Sequence, residues 1–113
     1  MYVQGDIVWV KYPLADNTGF SKRPASIISN SKFNRTDVIV AKISSNIRLV
    51  KGVSYLLKDT SFINPPLPLE SEIITNSIIT IDQKFIIGKH TSIKRENLIE
   101  VLNMIKSHFE INT

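Results

Sequence analysis

A chain of 113 residues, 42% of them hydrophobic and 21% charged, carries enough apolar material for one core of ordinary size and too little length for two. Zero cysteines exclude a disulfide framework, a thiolate metal site and a cysteine nucleophile, and no apolar run approaches the roughly 18 residues that a membrane span requires. The formal charge of +4, from fourteen Lys and Arg against ten Asp and Glu, favours a polyanionic partner without identifying one.

In chain order, residues 3–12 are β-branched and aromatic, punctuated by Gly5 and Pro13, and predict a first strand. The start lacks the basic residues and unbroken apolar stretch of a signal peptide, so a cytoplasmic location is expected. Residues 15–22 are dense in turn formers and predict an exposed loop longer than a tight hairpin. Pro24 opens an apolar run over 25–29, a polar connection fills 30–36, and 37–43 predict a third strand. A short fourth strand is predicted over 53–57. The stretch Asn64-Pro65-Pro66-Leu67-Pro68 must be a linker or an edge, because proline donates no ladder hydrogen bond. Residues 72–75 and 78–81 are β-rich again, and 86–90 predict a last short strand.

The period then changes. Leu98, Val101, Leu102, Ile105 and Phe109 fall on one face of an α-helix, with Ser92 as the expected N-cap and Glu96 in the first turn where the helix dipole favours it. Short strands closed by one amphipathic helix predict a single domain over 1–113, mainly β, folded as a small SH3-like antiparallel barrel.

The order Gly5-Asp6-Ile7-Val8-Trp9-Val10, a polar loop, Lys22-Arg23-Pro24-Ala25 and a β-rich segment ending in Ser29-Asn30 resembles the opening of the MazF/PemK toxins. These are the ribonuclease halves of bacterial toxin–antitoxin pairs. The similarity continues through Ile39-Val40-Ala41-Lys42-Ile43-Ser44, through Thr80-Ile81-Asp82 and into the terminal helix. It implies a barrel that is also shared with toxins binding DNA gyrase. It further implies a homodimer whose groove spans both subunits, and a cognate antitoxin with a flexible acidic tail. The implied activity is cofactor-free, metal-independent cleavage of single-stranded RNA, mostly messenger RNA, to cyclic-phosphate and 5′-hydroxyl ends.

That chemistry needs a group to stabilise charge on the phosphate oxygens and groups to move protons. Arg23 suits the first task, since its guanidinium presents several donors in a fixed fork; the competing reading is one more exposed cation near a strand end. Ser44 stands where the family usually has threonine, and the resemblance pairs that hydroxyl with the arginine. Serine keeps the donor and acceptor without the β-branch, and it is equally readable as a strand-end residue bonded to its own turn.

Around this catalytic pair, the candidate RNA-binding residues are Asn17, Thr18, Phe20 and Lys22 on the first loop, Lys42 and Arg48 beyond it, and Asn76 and Ser77. The scattered cations, which include Lys11, Lys32, Arg35 and Lys51, also read as a solvated surface. Asn76 occupies the place of a carboxylate assigned as base in some relatives, and Ile79 that of an arginine, so the general base is left open. Asn17 stands where one branch has histidine. Asp82 reads as the N-cap of the segment that follows it. His90 and His108 read as structural or exposed, and no metal site is expected. Ile73, Ile74, Ile86 and Ile87 serve a dimer interface or the core equally well. Two other functions compete with the ribonuclease: a non-enzymatic inhibitor of a protein such as gyrase, and a catalytically decayed antitoxin binder, suggested by Asn76 and Ile79.

Overall fold

The structure is a computed structural model and describes residues 2–14, 16 and 18–112. Its strands are β1 (Asp6–Pro13), β2 (Phe20–Ile27), β3 (Asp37–Ser44), β4 (Ser54–Leu57), β5 (Ser71–Asp82) and β6 (Ile86–Ser92), followed by the helix α1 (Arg95–Ser107). They form one antiparallel sheet in the order β4-β5-β3-β2-β1-β6, the mainly β architecture with a C-terminal helix that the pattern predicts. The sheet curls until its edges meet, yet no continuous ladder closes it. Among the described residues one bridge, Phe62↔Ile93, joins the chain beyond β4 to the end of β6, made by Ile63 N–H to Ser92 O and Lys94 N–H to Ser61 O, both 2.8 Å.

Curling explains why β1 and β3 read as nearly unbroken apolar runs. Ile7, Ala41, Ile43 and Ile73 bury on one face together with Val101 and Ile105 of α1. Val8, Val10, Ala25, Ile27, Val38 and Val40 bury on the other. A strand covered on both sides has no solvent face on which to alternate.

The boundaries differ from expectation for local reasons. Gly5 turns with φ at 94°, a conformation that strains a side chain, so β1 starts at Asp6 and not at residue 3. Strand β2 begins at Phe20, inside the predicted loop, because β1 is long enough to template the hairpin down to Pro13↔Phe20, with Leu14 N–H closing on Gly19 O at 2.9 Å. Residues 72–75 and 78–81 are one strand and not two: β3 pairs Ala41 with Ile78 and Lys42 with Ile74, so Thr75, Asn76 and Ser77 bulge out between them.

The helix is capped at Lys94 rather than Ser92, whose hydroxyl donates to Asp6 Oδ1 at 3.2 Å, and Phe109 lies beyond the helix end at 70% exposure. Glu96 does occupy the first turn, and Asp82 caps the 3-10 turn Gln83–Phe85 by accepting from Lys84 N–H at 2.9 Å. Ile73 and Ile86 are buried within this chain, whereas Ile87 is exposed.

Candidate functional site

The ladder between β2 and β3 covers Ile27↔Val40, Ser26↔Ala41 and Ala25↔Lys42, then stops. Continued one more step it would meet Pro24, which has no N–H to give. Beyond that point β2 keeps its pairs with β1 (Arg23↔Val10), β3 keeps its pairs with β5 (Ser44↔Glu72), and the two strands part like a fork. In the same register Arg23 and Ser44 are facing positions, one on each prong, with side chains on the same face. Alternate main-chain groups of each prong point into the opening, where no strand takes them up.

Two cavities flank this pair, and Arg23, Ser44 and Asn46 line both. The first, about 370 Å³, lies in the fork mouth between Trp9, Pro24, Ile43, Leu67 and Pro68. The second, about 520 Å³, is bordered by Lys42, Arg48, Ser54, Glu72 and Asn76. Arg23, Lys42 and Arg48 therefore border the second cavity, while the first has an apolar wall with Lys22 and Arg23 at its edge.

Arg23 is exposed, and its Nε donates to Ser21 Oγ at 3.0 Å, which orients the guanidinium while leaving its terminal nitrogens as donors. Ser44 Oγ accepts from Asn46 N–H at 3.1 Å, so the turn-bound reading of this serine is realised. Its own proton has only Asn46 O, at 3.5 Å, too long for a strong O–H bond, and the hydroxyl keeps donor capacity toward the cavities. Tyr12, one strand away, has a buried hydroxyl without a hydrogen-bond partner among the described residues; burial pushes its pKa up, and the nearby Arg23 charge opposes this.

Glu72 carries no signal for the site in the sequence. It is 2% exposed, and its Oε1 accepts from Arg48 N–H at 3.1 Å and Leu49 N–H at 3.0 Å while Oε2 accepts from Ser54 Oγ at 2.9 Å. Burial alone would raise its pKa, but these donors and the Arg48 charge outweigh it and hold the carboxyl below its ordinary range. Leu49 sits at φ 52°, a left-handed conformation that costs a non-glycine residue about 1–2 kcal/mol and directs consecutive N–H groups at the carboxylate.

The other expected site residues divide. Lys22, Lys42, Arg48 and Asn76 line one cavity or the other. Lys22 Nζ lies 4.7 Å from the centroid of the Trp9 ring, a cation–π contact. Phe20 is 61% exposed at the start of β2, Thr18 donates its hydroxyl to Asp16 Oδ1 at 2.6 Å, and Ser77 is on the bulge; none of the three lines either cavity. Asn17 is outside the described residues.

His90 Nε2 bonds Pro66 O at 2.9 Å while its ring meets Trp9 edge-on, and His108 Nε2 bonds Thr75 Oγ1 at 2.8 Å, so both are structural. Among the described residues no three His, Asp or Glu side chains gather as metal ligands would, and no helix is long and apolar enough to cross a membrane. Trp9 and Leu67, like Glu72, carry no sequence signal for the site, since strand and linker positions of this kind ordinarily read as core and surface.

The family model described as PemK-like, MazF-like toxin of type II toxin-antitoxin system matches residues 3–109. The chain belongs to this family. Solved structures with the same fold include the MazE-MazF crystal structure from Deinococcus radiodurans, with a TM-score of 0.79 at 14% identity over 98% of each chain. An endoribonuclease in complex with its cognate antitoxin from a mycobacterial species superposes with a TM-score of 0.70 at 12% identity, covering 99% of this chain and 100% of that one. The Mycobacterium tuberculosis toxin MazF-mt6 does so with a TM-score of 0.70 at 15% identity, covering 96% and 99%. No curated protein matches the sequence significantly. The PemK/MazF-like toxin fold is thus carried by a chain that shares few of its neighbours' residues.

Proposed function

We propose that this PemK/MazF-like toxin is a cytoplasmic, sequence-selective endoribonuclease acting on single-stranded RNA, mostly messenger RNA. The observation that carries the reading is the fork between β2 and β3, which places Arg23 and Ser44 at facing positions between an apolar cavity and a cation-lined one. A phosphodiester at the fork puts its non-bridging oxygens against the Arg23 guanidinium, where charge builds as the ribose 2′-hydroxyl attacks phosphorus. The P–O5′ bond breaks and the leaving oxygen takes a proton from water, giving a cyclic phosphate and a 5′-hydroxyl. Ser44 donates a further hydrogen bond to the phosphate.

The buried, hydrogen-bonded Glu72 is poorly suited as general base, and Asn76 cannot serve, so the attacking proton passes to water or to a substrate oxygen. An unstacked base fits the apolar cavity against Trp9, Leu67 and Pro24, and flanking phosphates run over Lys42 and Arg48. The working form is a homodimer with a groove across both subunits, held in check by a cognate antitoxin whose acidic tail covers those cations.

Incubating the purified protein with single-stranded RNA in EDTA tests the reading: cleavage to cyclic-phosphate ends is expected, at a rate unchanged by the chelator. Activity that vanishes in EDTA and returns with magnesium would overturn the mechanism. A wild-type protein that leaves RNA intact but inhibits gyrase, or only binds an antitoxin, would favour the inhibitor or decayed-toxin function.

A further inference from the structure

The charged cavity has a carboxylate in its wall, which calls for a reason in a groove that faces a polyanion. Glu72 is almost completely removed from water, and an ionised carboxylate is retained there only if donors replace its hydration. Those donors come from one short stretch. Arg48 and Leu49 N–H groups meet Oε1, while Val50 N–H donates at 2.8 Å to Ser54 Oγ, which in turn donates to Oε2. Three consecutive amides are thereby turned toward one carboxylate, directly or through a serine. The turn they make carries Arg48 to the rim of the cavity. Glu72 is also the direct ladder partner of Ser44. One side chain therefore links the loop that bears Arg48 to the strand position that bears the hydroxyl.

We propose that Glu72 is a positioning residue of the RNA groove: by gathering the amides of Arg48 and Leu49 and the Ser54 hydroxyl, it fixes Arg48 at the set distance from Ser44 at which a flanking phosphate is bound. It touches neither substrate nor reacting atoms. The proposal rests on the RNA-cleaving reading above and adds a residue that acts through Arg48. Glutamine is a poor substitute: its neutral oxygen holds the two amides less strongly than a carboxylate, and its nitrogen must reverse the bond with Ser54 Oγ, which then accepts where it had donated.

The test is steady-state cleavage of a short single-stranded RNA by wild type, Glu72→Gln, Arg48→Ala and the double variant. Glu72→Gln is expected to raise KM about 10-fold, the size of a lost charge-assisted phosphate contact, with kcat changed less than about 3-fold. Arg48→Ala should match it, and the double variant should be no worse than the poorer single, as for two residues in one interaction. Ser54→Ala, which removes one of the three bonds and keeps the carboxylate, should raise KM about 2- to 3-fold and serves if Glu72→Gln does not fold.

An unchanged KM in Glu72→Gln or, where that variant does not fold, in Ser54→Ala overturns the proposal. So does an effect that multiplies with that of Arg48→Ala. A wild-type protein that neither binds nor cleaves RNA overturns instead the reading on which this role depends, and the role with it.

Discussion

The two cavities that meet at Arg23 and Ser44 are held open by different forces. The fork-mouth cavity is walled by Trp9, Ile43 and Leu67, and Leu67 belongs to the same buried cluster as Val101 and Ile105, so its shape is set by apolar burial. The other is shaped by a carboxylate and the amides that converge on it, with Lys42, Arg48 and Arg23 around the rim. Burial ignores ionic strength and electrostatics does not. A single groove is thereby divided into a half whose shape rests mainly on burial, with Lys22 and Arg23 at its edge, and a half whose attraction depends on charge and fades with salt.

The largest expected effect lies where the halves join. Arg23→Ala should reduce the cleavage rate roughly 10²–10³-fold, the usual loss for one charge-stabilising donor, and Arg23→Lys should recover only part, since an ammonium lacks the fork. Ser44→Ala should slow cleavage with little effect on RNA binding, whereas Ser44→Thr should retain or raise activity; single-turnover kinetics separates these outcomes. Full activity in either alanine variant, with circular dichroism confirming the fold, would remove that residue from the catalytic pair.

Next, Leu67→Ala should unfold at lower denaturant, by about 2–4 kcal/mol, because the lost side chain leaves a void in the core, and it should weaken RNA binding without altering its salt dependence. The smallest effect belongs to the charged half. Lys42→Ala should flatten the plot of log affinity against log salt by about 0.7, one fewer counterion released from a single strand. A changed slope in Leu67→Ala, or an unchanged one in Lys42→Ala, would break the division between the halves.

Much of this was legible in the residues. The β-branched runs marked the strands, the helical period marked α1, and Asp82 was recognisable as a cap. Strand ends were harder, since β2 reaches back to Phe20 only because β1 offers a partner there, and no local propensity of Ser21 or Lys22 says so. The bulge at Thr75, Asn76 and Ser77 looked like a break between two strands because three polar residues interrupt the pattern, and only the ladder with β3 shows the strand continuing past them. Of the candidate site residues, Arg23 and Ser44 are marked out by the motif around them. Glu72 was hidden because a lone acidic residue in a β segment reads as solvent-facing, and the amides that make its burial tolerable come from a loop more than twenty residues away. Leu67 was hidden by its prolines, which correctly kept it out of the sheet but said nothing of its side chain entering the core.

The seam between Phe62 and Ile93 has a consequence for how the molecule comes together and comes apart. The sheet is held by ladders of several residue pairs, whereas the seam joins segments about 30 residues apart by one bridge, made of the Ile63 and Lys94 amide bonds, with Asn64 and Thr91 bonded beside it. Closing it orders the intervening chain for little hydrogen-bonding return. The buried side chains of Phe62 and Ile93 hold it, so with fewer backbone bonds than the ladders it is expected to open before they do. In hydrogen exchange, the amides of Ile63 and Lys94 should open through a motion far smaller than global unfolding, while those of the β3–β5 ladder should wait for the whole sheet to dissolve.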